Sequence, residues 1–183
     1  PNLTIMAPKD FVEFENMIEF AIKLEKPVVI RYPRGGEDKY KFNKEEKIEL
    51  GKAETLTYGK NATIISIGKT VSKAVKIAEK LEEVEVINAR FLKPLDVEKI
   101  KESIAKTKNV IVIEDGTSVG GLTTAIKELI VDENLKNIEF KSFAYPDKFI
   151  EHGSVEELEK RYNVDENAIK RYVELQIKEK GEE

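Results

Sequence analysis

Short apolar segments alternate along this chain with amphipathic segments of about ten residues, and this order limits the possible folds more than any other feature. Residues 110–113 form an unbroken β-branched run, which is typical of a parallel strand buried on both faces. Residues 28–30 repeat the pattern nearer the N-terminus. The alternation predicts an α/β fold: three α/β/α layers with a mostly parallel sheet, preceded by a strand–helix–strand of a second α/β domain.

The predicted elements follow from apolar spacing and from helix-capping residues. Strands are predicted at residues 3–6, 28–30, 52–57, 63–67, 84–87, 110–113 and 138–143. The first helix follows Asp10 and carries an apolar face of Phe11, Phe14, Ile18, Ala21 and Ile22. Asp10 with Glu13, and Ser154 with Glu157, resemble capping boxes, and Asp96 can cap a third helix. Further helices are predicted after Gly68, Gly121 and Asp165.

A polar, Lys/Glu-rich stretch that begins near Gly35 and Gly36 divides the chain. We predict that residues 1–36 end one α/β domain, that residues 37–47 are a linker, and that residues 48–183 form a second domain. A strand–helix–strand alone would leave exposed strand edges. Because the chain opens at Pro1 and reaches a strand at once, we expect it to be part of a larger protein.

Composition excludes several classes of function. The chain has no cysteine and one histidine, His152, so disulfides and thiolate nucleophiles are ruled out and a metal site would need carboxylates. The net charge of −4 comes without any basic stripe, which argues against nucleic-acid binding. No apolar run approaches the roughly 20 residues of a membrane span.

Two glycine-containing segments resemble phosphate-binding loops without meeting their requirements. Gly68-Lys69-Thr70 would need a glycine five positions earlier, where Thr63 stands, so we interpret it as a tight turn with Thr70 as helix cap. Residues 116–121 lack the GxGxxG order of a dinucleotide site. Close packing of backbone against the sheet is the favoured interpretation there.

Three other polar residues have weak catalytic patterns. His152 lies too close to Ser154 for a usual nucleophile–base pair, and there is no GxSxG elbow, so a structural or interface role is favoured. Glu114 and Asp115 end a buried strand without further ligands nearby, which favours a role in a turn.

Arg31 and Arg34 are the strongest candidate site residues. They follow an apolar parallel strand, and open α/β sheets bind ligands at the carboxyl ends of their strands. Two guanidinium groups there suit a phosphate or a carboxylate. A pair of inter-domain salt bridges would explain the same residues equally well.

Five motifs together resemble the end of the 1-deoxy-D-xylulose-5-phosphate synthase family, in its order and spacing, over residues 1 to about 175. They are Asn2-Leu-Thr-Ile-Met-Ala-Pro8, Ile30-Arg-Tyr-Pro-Arg-Gly35, Asn88-Ala-Arg-Phe-Leu-Lys-Pro-Leu-Asp96, Glu114-Asp-Gly116 with Gly120-Gly121, and Pro146-Asp-Lys-Phe-Ile-Glu-His-Gly-Ser154. The resemblance makes residues 1–36 the tail of a pyrimidine-binding domain and residues 48–183 a transketolase C-terminal domain.

The resemblance implies an enzyme that joins pyruvate to D-glyceraldehyde 3-phosphate with loss of CO₂, using thiamine diphosphate and Mg²⁺, as a cytoplasmic homodimer. It implies that Arg34 binds the substrate phosphate, with Arg31 as a possible supporting residue, and that Arg90 forms a structural salt bridge. Catalytic, cofactor-binding and metal-binding residues would lie upstream, in the other domains of the enzyme. The fragment alone would then bind no cofactor and be inactive.

Two other interpretations stay open. The chain could be a non-catalytic module for dimerisation or regulation. It could also be a subunit of a split transketolase or of a 2-oxo-acid dehydrogenase E1, although such a subunit would normally carry the whole pyrimidine-binding domain.

Overall fold

The computed structural model describes residues 1–34, 40–42 and 47–181. Its strands are β1 (Thr4–Met6), β2 (Val28–Ile30), β3 (Glu54–Thr57), β4 (Ala62–Ser66), β5 (Val84–Asn88), β6 (Phe91–Lys93), β7 (Asn109–Thr117) and β8 (Glu139–Tyr145). Its helices are α1 (Phe11–Leu24), α2 (Thr70–Ala78), α3 (Val97–Thr107), α4 (Leu122–Asp132), α5 (Val155–Arg161) and α6 (Glu166–Gly181). All predicted elements are present, and β6 is an element that the apolar pattern did not predict.

The larger sheet confirms the predicted fold class. Its five strands run in the order β3-β5-β4-β7-β8, with parallel pairing except at the antiparallel edge strand β3. Alternate residues of β7 face opposite layers: Ile111 packs with α2 and α6, whereas Val112 packs with α3 and α4. Both faces of the sheet are therefore apolar and covered by helices, which gives three α/β/α layers.

The smaller sheet contains strands from both sides of the predicted domain boundary. Its order is β2-β1-β6, in which β1 pairs in parallel with β2 and antiparallel with β6. Since β6 follows β5 directly along the chain, the N-terminal strand–helix–strand obtains its third strand from the C-terminal domain. One of the two strand edges that the sequence left exposed is thereby paired. The predicted linker, residues 37–47, lies mostly outside the described residues.

Helix α1 buries a different face from the predicted one. Glu13 and Met17 are its buried residues, whereas Phe11, Ile18 and Ile22 are exposed. Strand β2 is likewise only half buried, and Val29 on it is exposed, so the expectation of a fully buried strand is wrong. The physical reason is that the small core under α1, built on Met6, Met17, Ile48 and Phe91, covers one face of the small sheet.

The capping predictions mostly hold. Ser154 and Glu157 form a capping box at α5, and Asp96 accepts a hydrogen bond from the Lys99 amide at α3. Asp10 caps α1 by accepting from the Glu13 amide at 2.7 Å, but the Glu13 carboxylate accepts from the amide of Lys9 instead of closing a capping box.

Candidate functional site

The carboxyl ends of β2, β4 and β7 meet at a cleft between the small and the large sheet. We call it the strand-end cleft; it measures about 150 Å³ and is lined by Ala7, Arg31, Tyr32, Pro33, Ile67, Gly68, Lys69 and Asp115. Lys69 Nζ lies 2.8 Å from Asp115 Oδ2, in a pair that is partly exposed. Arg31 reaches over β7, because a Cβ atom placed on Gly116 would lie 3.6 Å from its Nη2 atom.

The structure places Arg31 and Arg34 differently. Arg31 is exposed and lines the strand-end cleft, whereas Arg34 is exposed and is not among the residues that line it. Within the described part of the chain, neither guanidinium forms an ion pair. Inter-domain salt bridges, the alternative explanation for the two arginines, are therefore not formed by the residues that the structure describes.

A buried cluster of four charged residues and one asparagine lies where the two sheets adjoin. This junction cluster consists of Lys9, Glu13, Glu54, Asn88 and Arg90, all buried. Glu13 accepts from Arg90 Nε at 2.7 Å and from Lys9 Nζ at 3.2 Å. Glu54 pairs with the same two cations at 3.1 and 3.0 Å. The expected structural salt bridge of Arg90 is present, as part of a network of two cations and two anions.

The junction cluster is electrically balanced. Burial by itself lowers the pKa of Lys9, but the adjacent carboxylates of Glu13 and Glu54 outweigh it and raise that pKa above the usual value. Lys9 is therefore protonated at neutral pH. Asn88 donates to Glu13 at 3.0 Å and to Glu54 at 3.3 Å, which fills further acceptor positions. Because its charges are already paired with one another, the junction cluster has a structural role and is not a ligand site.

Glu114 has a structural role that the sequence pattern did not reveal. Its carboxylate accepts from the amides of Leu122 at 2.9 Å and Thr123 at 2.8 Å, so it caps α4 from within β7. The predicted turn role is wrong, because β7 continues to Thr117. Gly121 lies against this carboxylate: a Cβ there would be 2.2 Å from Glu114 Oε2. The close approach predicted for this loop is thus to a side chain.

The Gly68 turn also differs in one detail. Gly68 has a φ of 64°, which agrees with a tight turn. Thr70 is not the cap, since Lys69 is the N-cap residue and Thr70 already lies in the helix, where its hydroxyl donates to the Ile67 carbonyl at 2.9 Å. Helix α2 therefore begins at Thr70, one residue earlier than the sequence predicts, directly after the turn at Gly68.

His152 is exposed and lies in the loop that precedes α5. The neighbouring Glu151 pairs with Arg161 and accepts from the Tyr162 hydroxyl at 2.6 Å. These hydrogen bonds lower the pKa of Glu151 to about 2, and the bond from Tyr162 has the larger effect. Within the described residues, His152 has no nucleophile or carboxylate partner, and a catalytic triad through it is not assembled.

Residues 1–34, 40–42 and 47–181 contain no group of three His, Cys, Asp or Glu side chains that could hold a metal ion. Within the same ranges, every helix is too short or too polar to cross a bilayer.

Residues 51–169 match the transketolase C-terminal domain family. Among curated proteins, 1-deoxy-D-xylulose-5-phosphate synthases are similar to the chain. That of Caldanaerobacter subterraneus subsp. tengcongensis is 39% identical over 92% of this chain. That of Halothermothrix orenii is 41% identical over 92%, and that of Desulforudis audaxviator 36% over 99%. The chain spans only 27–29% of the length of these relatives.

Solved structures share the fold. A split gene transketolase, described as an inactive beta4 tetramer, superposes on 97% of the chain with a TM-score of 0.86 and 26% identity, and the match covers 59% of that protein. A transketolase mutant from Pichia stipitis superposes on 97% with a TM-score of 0.65 and 15% identity, over 25% of its own length.

Proposed function

The chain belongs to the transketolase C-terminal domain family, and from this membership we propose that it is the C-terminal part of a 1-deoxy-D-xylulose-5-phosphate synthase. The observation that carries the proposal is the similarity to curated synthases over 92% of the chain, which is more than the 51–169 range of the family match. The proposed reaction of the intact enzyme condenses pyruvate with D-glyceraldehyde 3-phosphate and releases CO₂. We propose further that the intact enzyme is a cytoplasmic homodimer.

The cofactor is assigned to other domains of that enzyme. Thiamine diphosphate would supply the carbanion chemistry with pyruvate, and Mg²⁺ would hold its diphosphate. The described residues offer no carboxylate set that fits such a metal, so they do not fit this group. We therefore expect the chain alone to be inactive, and its own contribution to the site to be the acceptor end.

The exposed apolar surface of α1 is an argument for a neighbouring domain that packs against it. Ile18 and Ile22 lie one turn apart on the exposed face of the helix. A helix with apolar residues on two faces is typical of one that is covered on both. In the proposed enzyme, the remainder of the pyrimidine-binding domain would cover this face.

Arg34 is the residue that we propose binds the acceptor. It follows the carboxyl end of β2, is exposed, and has no ion-pair partner among the residues that the structure describes. A guanidinium suits a phosphate dianion, which it can bind through two hydrogen bonds. Held at this remote group, the substrate aldehyde is positioned for attack without Arg34 touching the reacting carbon.

The test is Arg34→Ala in the intact enzyme. Losing a charged hydrogen bond of about 1.5–3 kcal/mol should raise the KM for glyceraldehyde 3-phosphate roughly tenfold to a hundredfold and leave the KM for pyruvate nearly unchanged. Steady-state kinetics with each substrate varied in turn measures both.

Arg171→Ala is the matched control, because Arg171 is an exposed arginine on α6. It should change neither KM. Equal increases in both KM values for Arg34→Ala would contradict a role in acceptor binding.

A separately encoded transketolase subunit is the second candidate. It is favoured by the split gene transketolase, whose structure matches nearly the whole chain at 26% identity. Reading the coding sequence around this chain distinguishes the two, because a synthase would continue upstream into further domains.

A further inference from the structure

We propose that the strand-end cleft binds a phosphate group, carried by inorganic phosphate or by a phosphate monoester, at a site separate from Arg34. Two cationic side chains from different elements converge there: Arg31 after β2, and Lys69 between β4 and α2. The position agrees with the general preference of α/β sheets for ligands at the carboxyl ends of their strands.

Arg31 is the principal ligand in this proposal. It is exposed, and within the described part of the chain it has no carboxylate partner, so its guanidinium is available for a ligand. It extends over this part of β7, since a Cβ atom placed on Gly116 would lie 3.6 Å from its Nη2 atom. A guanidinium in this setting can donate two parallel hydrogen bonds to a phosphate.

Lys69 supplies the second positive charge. Its ammonium group is paired with Asp115 at 2.8 Å, but both side chains are partly exposed. Water screens the charges, and the attraction between them is therefore weak. A dianion between Arg31 and Lys69 can therefore compete with the single carboxylate of Asp115. That carboxylate weakens the site, and this gives the proposal a distinctive consequence: removing its charge should strengthen binding.

Backbone geometry adds room and polarity. Gly68 takes a left-handed conformation and introduces α2, whose N-cap residue Lys69 gives it no side-chain hydrogen bond. The uncapped start of a helix favours a negative charge. The cleft volume of about 150 Å³ corresponds to the space of a few water molecules, at roughly 30 Å³ each, which suffices for a phosphate group.

The experiment is a titration of the chain with sodium phosphate, followed through amide chemical shifts in ¹⁵N NMR spectra. We expect saturable shifts at Gly68, Lys69 and Gly116. Arg31→Gln should weaken phosphate binding about tenfold, and Lys69→Gln should also weaken it. Asp115→Asn should tighten it. Arg31→Lys, which keeps the charge and loses the fork, should give an intermediate affinity.

Arg171→Gln is the matched control and should leave phosphate binding unchanged, because Arg171 is an exposed arginine on α6 and does not line the cleft. Glycerol 3-phosphate should bind at least as well as inorganic phosphate if the ligand is a monoester, and less well if it is free phosphate. Melting curves of every variant verify that each is folded.

Three results would overturn the proposal: the absence of saturable shifts in phosphate, an unchanged affinity in Arg31→Gln, or acetate binding as tightly as phosphate. An equal loss of binding in Arg171→Gln would show that the affinity follows the net charge of the chain, and would overturn the proposal as well. None of these results bears on the KM test of Arg34, so failure of this site and failure of the proposed function are distinguishable.

Discussion

At the scale of single residues, the junction cluster is the most consequential feature of the chain. Lys9 and Glu13 come from the N-terminal unit, whereas Glu54 and Arg90 come from the C-terminal domain. Burying an ion is costly unless its partner and its hydrogen bonds come with it. Since each of the two carboxylates contacts both cations, the arrangement is satisfied in only one relative position of the two units.

We predict that Glu54→Gln lowers the free energy of unfolding by about 3 kcal/mol or more, because it leaves two buried cations facing one buried anion. Chemical denaturation measures this loss.

Glu133→Gln is the matched substitution, since Glu133 pairs with Lys101 in a partly exposed ion pair. It should alter the denaturation midpoint little, because solvent screens such pairs. Similar losses for the two variants would show that the junction cluster is no more important than a surface pair.

The sequence revealed one member of this cluster and concealed the others. Arg90 lies in one of the five family-like motifs of a chain that has only five arginines, and its salt bridge was expected. Lys9, Glu13 and Glu54 were not predicted, because Lys and Glu are so frequent here that they suggest a solvated surface. Charge identity is local information, whereas burial depends on which elements meet, and only the three-dimensional structure contains that.

At the scale of elements, the start of α4 depends on a residue of β7. Gly121, the N-cap residue, provides no side chain, and Glu114 caps the helix from outside it. The absence of a Cβ at Gly121 is what allows the carboxylate to reach the two amides.

Gly121→Ala should therefore destabilise the protein by about 1–3 kcal/mol, by displacing the cap. Thermal unfolding measures the effect.

The control is Gly116→Ala, whose new Cβ would meet its neighbour at 3.6 Å, an ordinary contact. The Glu114→Ala background refines the test: once the carboxylate is gone, Gly121→Ala should cost much less. If the two losses simply add, the contact between Gly121 and Glu114 is not the cause.

Periodicity predicted the existence of the elements well but not every buried face. Strand β7 could be predicted from its own residues alone, because both of its faces are apolar. Helix α1 has apolar residues on two faces, and the pattern selected the one that is exposed in this chain. Strand β6 is three residues long, and its pairing with β1 joins segments far apart in sequence, so no local pattern could indicate it.

At the scale of the whole molecule, the exposed stripe of α1 should control association of the isolated chain. Ile18 and Ile22 are exposed one turn apart, whereas the residues one turn before the exposed Val131 on α4 are Lys127 and Glu128. Contiguous apolar surface marks an interaction site, and single exposed residues do not.

We predict that the isolated chain binds the dye ANS through this stripe. Replacing Ile18 and Ile22 with lysine should lower ANS fluorescence and leave the melting temperature nearly unchanged. Val131→Lys, the matched control, should leave the fluorescence as it was. A dye signal that is insensitive to the α1 substitutions would show that the surface in question lies elsewhere.

The pairing of β6 with β1 also bears on where a protein of this kind can be divided by gene fission. Composition marks a boundary in the polar segment at residues 37–47. If pieces cut there drifted apart, β6 would lose its partner strand, and the junction cluster would be divided with two of its charges on each side. A cut before Thr4 would separate neither. A division that keeps the small sheet and the junction cluster intact must therefore leave the N-terminal strand–helix–strand attached to the C-terminal domain, and not cut at the polar segment that composition marks.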